Sequence, residues 1–326
     1  MVGIRYGSYG VASILEFFCF RYINSGKYLD KMLGIITPVK NEAENLLRTF
    51  NMLINQTFLP RIWVIIDDCS EDDTPIVIKK LEKEYDFIIG LSISERSDYN
   101  EVTRYGQVVQ KGVDYILSSF PDLELIGILD ADIKLKNDYY ATLVDAFIKN
   151  PDLGIASGRY LALRDGVACQ ASTTVCGAAM VFRKDCLLSI GGFPKTPCPD
   201  TVALLKAVNR GWLIGIAYST YAIHLREKTS ANNYMKRGFG MYQLGYHFFN
   251  ALLSGPFLAF KKLSFSPLGF TVGYIKGAIC TNKITDKEIT RYFHQSFQRA
   301  IYKTINRLLY RKNISIDIVG DSIIKL

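Results

Sequence analysis

From residue 33 onward, short runs of apolar residues alternate with longer stretches that have a helical pattern. The apolar runs cover residues 33–37, 61–67, 86–92 and 123–129, and the helical stretches include residues 41–55 and 101–119. After the second run, Thr74 and Pro75 are typical of an N-cap followed by a first-turn proline. The alternation predicts an α/β fold in which a mostly parallel sheet is covered by helices on both faces.

Two carboxylates, Asp130 and Asp132, stand directly after the fourth apolar run, with Ala131 between them. In open α/β sheets, ligands collect at the carboxyl ends of the strands. Mg²⁺ is typically held by one or two protein carboxylates together with substrate phosphates. The position therefore favours a metal site that handles a phosphate ester, although an Asp-x-Asp pair taken alone also fits a solvated strand end.

The second half of the chain is less regular. We expect a strand over residues 177–183, a helix over 201–210 and a strand over 212–217. Residues 234–280 interleave aromatic and basic residues without a strand period, and Thr285 and Glu288 have the spacing of a capping box that opens a basic helix. The chain thus divides into an N-terminal extension (1–32), an α/β domain (33–226), an aromatic and basic segment (227–280) and a basic helical tail (281–326).

The net charge of +8 fits three partners: nucleic acid, an anionic membrane surface or a phosphorylated substrate. Nucleic acid is not expected, because the chain has no zinc-ligand spacing, Arg-rich arm or RNA-reading sheet motif. The seven cysteines are scattered and include no Cys-x-x-Cys, which suits the reducing cytoplasm. No apolar run reaches the roughly 20 residues of a membrane span, and no secretory cleavage site is evident. We therefore expect a cytoplasmic location, either free or at the cytoplasmic face of the membrane.

Five motifs over residues 33–226 occur in an order that resembles the family 2 glycosyltransferases, which have the GT-A fold. They are a Pro-x-x-Asn-Glu turn, an acidic turn, an Arg-Tyr helix start, the Asp-x-Asp triplet, and a Gly-Gly-Phe loop followed by an acid and a Gly-Trp pair. In this sequence they are Pro38 to Glu42, Asp67 to Thr74, Arg104 with Tyr105, Asp130 to Asp132, and Gly191 to Phe193 with Asp200 and Gly211-Trp212. Where the second motif of the family usually has Gly, this chain has Cys69.

The resemblance implies a donor site for a UDP- or GDP-sugar and a divalent metal, Mn²⁺ or Mg²⁺. Asp132 is expected to ligate the metal directly, and Asp130 to assist through the ribose or a bound water. Asp68 corresponds to the residue that hydrogen-bonds the nucleobase. The same nucleotide pocket is expected to be lined by Pro38, Glu42 and Arg104.

The resemblance also implies an inverting transfer to a glycan or lipid-linked acceptor, with Asp200 as the general base opposite the leaving diphosphate. Gly191 and Gly192 correspond to the acceptor loop, and His224 to a metal-facing or product-facing histidine of many relatives. The usual Glu-Asp-x-Asp of the family is here Pro199-Asp200-Thr201-Val202. The Gln-x-x-Arg-Trp signature of processive synthases is absent after His224, so we expect a single transfer rather than polymerisation.

Simpler structural roles also fit several of these residues. Arg104 fits a surface pair with Glu101 or Asp98, Asp200 fits an N-cap of the 201–210 helix, and His224 fits a buried core histidine. The segment 234–280 fits either a peripheral membrane interface or a core of packed helices with solvated lysines, and the resemblance favours the membrane.

Other functions fit parts of the pattern. An Asp-x-Asp phosphatase would have its triplet near the start of the chain and a second late acidic pair. A nucleotidyltransferase would have a Gly-rich basic loop after the first strand, whereas this turn contains no Gly. A catalytically degenerate membrane-surface binding protein of the same fold is the remaining alternative, and only the altered residues around Asp200 support it.

Overall fold

The computed structural model describes residues 32–93, 102–164, 167–170, 174–226, 231–296, 298–299, 301 and 323–326, so residues 1–31 of the N-terminal extension and most of the tail lie outside it. The strands are β1 (Leu33–Val39), β2 (Ile62–Asp67), β3 (Ile88–Ser92), β4 (Leu125–Leu129), β5 (Ile133–Leu135), β6 (Leu153–Arg164), β7 (Val167–Gln170), β8 (Ala179–Arg183), β9 (Leu213–His224) and β10 (Ile323–Lys325). The helices are α1 (Ala43–Ile54), α2 (Thr74–Glu84), α3 (Arg104–Ser119), α4 (Tyr139–Lys149), α5 (Lys184–Ser189), α6 (Pro199–Asn209), α7 (Ala231–Gln243), α8 (Phe248–Lys262), α9 (Leu268–Cys280) and α10 (Lys287–His294).

The strands form one sheet in the order β10-β9-β6-β8-β4-β1-β2-β3, to which β5 is added beside β9 and β7 beside β6. β1 lies between β2 and β4 and is parallel to both, with Ile36 paired to Val64 and to Ile128. β8 joins β4 in the antiparallel sense, whereas β6 and β9 run parallel. The predicted α/β fold with a mostly parallel sheet is confirmed, and the carboxyl ends of β1, β2 and β4 meet at one edge.

Helices cover both faces of the sheet, because successive side chains of a strand point to opposite faces and both sets are apolar. Ile36, Val64 and Ile66 are buried in one cluster with residues of α3, α6 and α10. Ile35 and Ile65 are buried in a second cluster with residues of α1, α2 and α4. The central strands are thus apolar on both faces, so each of them could be recognised in the sequence as a nearly continuous apolar run.

The start of α10 differs from the predicted capping box. Asp286 is the N-cap, and its carboxylate accepts hydrogen bonds from the N–H groups of Glu288 and Ile289 at 3.0 and 3.3 Å. The capping role predicted for Thr285 is therefore wrong. Within α10, the apolar side chains of Ile289 and Phe293 are buried.

The aromatic and basic segment folds into the three helices α7, α8 and α9. A Cβ added to Gly238 of α7 would lie 1.9 Å from the carbonyl oxygen of Phe270, and one added to Gly273 of α9 would lie 2.0 Å from that of Met235. The two backbones therefore touch, and only glycine leaves room for this contact. Among the described residues, no helix is long and apolar enough to cross a membrane.

Candidate active site

The turns that follow β1 and β2 are joined by hydrogen bonds. Asn41 has a φ of 55°, donates its N–H to Ser70 Oγ at 2.8 Å and accepts at Oδ1 from the N–H of Glu71 at 2.8 Å. The N–H of Glu42 donates to Thr74 Oγ1, also at 2.8 Å. Thr74 is the fully buried first residue of α2, so the prediction that it is the N-cap is wrong. Its hydroxyl instead holds the turn that contains Glu42.

Asp68, just beyond the end of β2, forms an ion pair with Arg104 at the start of α3. Nε and Nη2 of Arg104 both donate to Asp68 Oδ1, at 2.8 and 2.5 Å. The two side chains are only 11% and 12% exposed. The surface partners considered for Arg104, Glu101 and Asp98, lie outside the described residues. The two hydrogen bonds from Arg104 therefore hold the carboxylate of Asp68 in a fixed orientation.

Cys69 follows Asp68 and has a φ of 55°, in the left-handed region that favours glycine. This backbone conformation accounts for the glycine that the family usually has at this turn. The thiol of Cys69 donates to the carbonyl oxygen of Ile93 at 2.7 Å, which links the turn to the residue after β3.

Tyr105, the residue after Arg104, connects two predicted site carboxylates. Its hydroxyl donates to Asp130 Oδ1 at 2.8 Å. Burial, the charge and hydrogen bond of Asp130, and the charge of Asp200 all raise the pKa of Tyr105 well above its usual range. Burial raises the pKa of Cys176 to about 12, and the charges of the same two carboxylates contribute. Asp130 and Asp200 therefore face a common buried region around Tyr105.

Asp200 lies in the first turn of α6, after Pro199, and Cys198 precedes the helix with a φ of 47°. The alternative that Asp200 is the N-cap of this helix is therefore wrong. A Cβ added to Gly177 would lie 2.6 Å from Asp200 Oδ2. The carboxylate of Asp200 thus packs directly on the backbone before β8.

Asp132 contacts two residues at and beyond the end of β9. Its Oδ2 lies 3.5 Å from Nε2 of His224 and 3.8 Å from Nε of Arg226. The guanidinium of Arg226 also forms an ion pair with Glu42, which bridges the turn after β1 to the Asp-x-Asp triplet. β9 extends to His224, beyond the predicted end at residue 217. The sequence pattern did not indicate the extension, because the exposed side chains of Tyr218 and Ser219 interrupt the apolar run.

The ring of His224 is oriented by a hydrogen bond to the backbone. Its Nδ1 donates to the carbonyl oxygen of Arg226 at 2.7 Å. The other ring nitrogen, Nε2, lies 3.5 Å from Oδ2 of Asp132, so a cation held by both atoms would be stabilised by the carboxylate and by a neutral ring. A metal-binding histidine typically donates its other ring nitrogen to a carbonyl or carboxylate in this way. In the described part of the chain, no three His, Cys, Asp or Glu side chains come together as a complete metal-binding group.

The loop with Gly191 and Gly192 packs against α3. Both glycines have a positive φ, 83° and 87°. The side chain of Gln110 accepts a hydrogen bond at Oε1 from the N–H of Phe193 at 2.5 Å, and its Nε2 donates to Asp114 at 2.6 Å. The ring of Phe193 then packs edge-on against Tyr105, with 6.2 Å between centroids. The loop is thereby connected to the tyrosine that binds Asp130.

We expect Gly192→Ala to lower the free energy of unfolding more than Gly191→Ala. Both substitutions force an alanine into the left-handed region, at a cost of about 1 kcal/mol. A Cβ at Gly192 would also lie 2.6 Å from Oε1 of Gln110, whereas nothing lies within 4 Å of one at Gly191. This overpacking adds about 1–3 kcal/mol. Denaturant unfolding of the two variants measures the difference, and equal losses would contradict the close contact with α3.

The predicted donor residues line one cleft of about 650 Å³ at the carboxyl edge of the sheet. Those that line it are Pro38, Glu42, Asp68, Arg104, Asp130 and Asp132. His224 contacts Asp132 from β9. Neither His224 nor Asp200, Gly191 or Gly192 is among the lining residues. The lining also includes residues that the sequence analysis gave no role: Val39, Lys40, Tyr105, Val108, Ala131, Arg226 and Asn233.

The comparisons with known proteins agree with this geometry. The sequence model of glycosyl transferase family 2 matches residues 34–210. The mannosyltransferase PcManGT from Pyrobaculum calidifontis, solved with GDP-Man and Mn²⁺, superposes with a TM-score of 0.50 at 15% identity, over 92% of this chain and 96% of that one. GalNAc-T7, solved with UDP, GalNAc and Mn²⁺, superposes with a TM-score of 0.52 at 13% identity, over 85% of this chain and 58% of its own. No curated protein matches the sequence.

The α/β sheet with an acidic cleft at its carboxyl edge defines a GT-A type fold. The family match covers more than half of the chain, so the protein belongs to glycosyl transferase family 2 and is a glycosyltransferase. The resemblance seen in the five motifs is thereby confirmed.

Proposed function

We propose that the protein transfers one sugar from a UDP- or GDP-sugar to a hydroxyl group of a glycan or lipid-linked acceptor, with Mn²⁺ or Mg²⁺ and with inversion at the anomeric carbon. The observation that supports this most directly is the cleft itself, in which four carboxylates and two guanidinium groups meet. These groups are Glu42, Asp68, Asp130, Asp132, Arg104 and Arg226. PcManGT and GalNAc-T7 share the fold and were solved with nucleotides and Mn²⁺.

The residues beside Asp132 fit a divalent metal. Asp132 and the Nε2 atom of His224 face each other at 3.5 Å, and the backbone hydrogen bond at Nδ1 holds the ring in place. Asp130 stands two residues before Asp132 and is oriented by the hydroxyl of Tyr105. When bound, the metal would neutralise the charge that develops on the diphosphate. The donor phosphates would supply the rest of its ligands, as is usual for Mg²⁺.

The cations of the cleft would bind the nucleotide. Arg226 lies between Glu42 and Asp132 and is half-exposed, so its guanidinium can turn toward the diphosphate. Arg104 holds Asp68 at the place expected to hydrogen-bond the nucleobase. Lys40 also lines the cleft and adds a further positive charge. Guanidinium groups suit this task because they are always charged and bind phosphate through two parallel hydrogen bonds.

Asp200 would be the general base. It would take the proton of the acceptor hydroxyl while that oxygen forms a bond to the anomeric carbon and the bond to the diphosphate breaks. The support is that the charge of Asp200 raises the pKa of Tyr105 and of Cys176, and that the charge of Asp130 raises the same two pKa values. Attack on the face opposite the leaving diphosphate would invert the configuration.

The experiment that tests donor binding is thermal unfolding with UDP and with GDP, each with and without Mn²⁺. At about 100 times its dissociation constant, the correct nucleotide should add about 2.7 kcal/mol to the free energy of unfolding. Asp132→Asn should lose the Mn²⁺-dependent part of this gain. The matched control is Asp145→Asn on α4, whose side chain is 59% exposed and pairs with Lys149.

The control should keep the full gain. If neither nucleotide stabilises the wild-type protein, the proposed transfer from a UDP- or GDP-sugar is wrong. If Asp132→Asn responds like the wild type, the metal is bound elsewhere or not needed.

A further inference from the structure

The end of α8 and the turn before α9 bear the most exposed large apolar side chains of the described residues. Leu263 is 92% exposed, Phe265 87% and Phe260 83%. Other large apolar side chains on the same two helices are also exposed. We call ten of these exposed side chains, on α8, α9 and the turn between them, the apolar rim: Phe248, Phe249, Leu253, Phe257, Phe260, Leu263, Phe265, Val272, Ile275 and Ile279.

The apolar rim does not belong to the core between the helices. That core is made by the opposite faces of α8 and α9, where Ala251, Phe270 and Tyr274 are buried. Close contacts hold the two helices together, since a Cβ added to Gly255 would lie 2.4 Å from Thr271 Oγ1. The rim therefore faces outward on a packed scaffold. Many large apolar side chains exposed on two packed helices are typical of a binding site for a protein or a membrane.

The charge around the apolar rim is of one sign. No Asp or Glu occurs from residue 231 to residue 285, whereas this stretch contains six basic residues. They are Lys236, Arg237, Lys261, Lys262, Lys276 and Lys283. Lys261 and Lys262 directly precede Leu263 at the tip, and Lys276 lies between Ile275 and Ile279 on α9. An anionic bilayer has an apolar interior and negatively charged headgroups. Exposed apolar side chains next to lysines, with no acidic residue in the same stretch, complement such a surface.

We propose that the apolar rim docks the protein on the surface of a membrane that contains anionic phospholipids. Phe260, Leu263 and Phe265 enter the boundary between headgroups and acyl chains, and the neighbouring lysines contact the lipid phosphates. Binding in the plane of the interface combines buried apolar area with attraction to anionic lipid. It needs no spanning helix, in keeping with the lengths of the helices described here.

The rim is connected to the cleft through α7. Asn233, near the start of α7, lines the cleft, and the backbones of α7 and α9 touch at Gly238 and Gly273. Docking at the rim therefore holds the cleft at a fixed distance from the membrane, where the hydroxyl of a lipid-linked acceptor can reach it. The docking itself does not depend on the proposed transfer, because it uses neither the donor nor the catalytic carboxylates.

The test is co-sedimentation of the full chain with vesicles of phosphatidylcholine alone and with vesicles that also contain phosphatidylglycerol. The wild-type protein should sediment with the anionic vesicles and be released by added salt, which screens the lysines. The double variant Leu263→Ser, Phe265→Ser should partition at least about tenfold less. Lys261→Gln and Lys276→Gln should each lower partitioning about fivefold on anionic vesicles only.

The matched control removes two exposed isoleucines far from the rim. Ile76 on α2 is 67% exposed and Ile148 on α4 is 55% exposed, and their double serine variant should sediment like the wild type. Thermal unfolding checks that every variant is folded, and nucleotide binding should be equal in all of them. No sedimentation of the wild type, or equal losses in both double variants, would overturn the proposal. The proposal would also be overturned if the wild type did not bind vesicles but formed a dimer that the rim variant lost. The rim would then be a contact between two copies of the chain.

Discussion

We expect Asp200→Asn to lower kcat by about 10²–10⁴-fold, the contribution of a positioned general base. The amide has nearly the same size as the carboxylate but cannot accept the proton of the acceptor hydroxyl. Donor binding should not change, because Asp200 is not among the residues that line the cleft. The measurement is the initial rate with saturating donor and acceptor, together with the nucleotide-induced thermal shift.

The control separates catalysis from a helix-terminus effect. Asp185 also lies in the first turn of a short helix, α5, and is exposed, so Asp185→Asn removes the same charge from an equivalent position. A negative charge at such a position contributes about 0.3–1 kcal/mol to stability. The two variants should therefore lose similar stability, and only Asp200→Asn should lose activity. Retention of wild-type kcat by Asp200→Asn would exclude it as the base.

Arg104→Met should lower the free energy of unfolding by about 3 kcal/mol in the absence of ligand. The substitution leaves the carboxylate of Asp68 without the two hydrogen bonds from Arg104, at a site where both side chains are nearly buried. Breaking a buried pair from one side costs about 3–5 kcal/mol, and the open cleft places this case at the lower end. Urea unfolding of the unliganded protein measures the loss.

A surface pair provides the comparison. Nη1 of Arg61 lies 2.6 Å from Asp122, but these side chains are 35% and 40% exposed, so Arg61→Met should cost less than about 1 kcal/mol. Adding Asp68→Asn to Arg104→Met should restore part of the lost stability, because the unpaired charge is removed. If the double variant is instead destabilised by the sum of the two single effects, Asp68 and Arg104 are not coupled.

Much of the α/β domain was predictable because its signals are local. The buried strands β1, β2 and β4 are apolar on both faces, so each one is a continuous run in the sequence. Element ends were less predictable, since they depend on contacts from distant residues. Thr74 has the residue type of an N-cap, but the N–H of Glu42, 32 positions earlier, binds its hydroxyl.

The candidate site also has parts that could be predicted from the sequence and parts that could not. The carboxylates directly after β2 and β4 were predicted to lie at one edge of the sheet, because parallel neighbouring strands end there. The role of Arg226 was not predicted, since its ion pair with Glu42 joins residues 184 positions apart. Tyr105 was part of a motif, but only the structure shows that its hydroxyl binds Asp130.

The sequence by itself determined the α/β class, the family and the residue types of an acidic cleft, because strand patterns and the order of motifs depend only on residues that are close along the chain. Only the tertiary structure decided which charges neutralise one another: Asp68 with Arg104, and Glu42 and Asp132 with Arg226. It also decided that the phenylalanines of α8 are exposed, whereas Phe270 and Tyr274 of α9 are buried in a core. Pairing and exposure depend on the distances between elements, and periodicity in one segment contains no information about its neighbours in space.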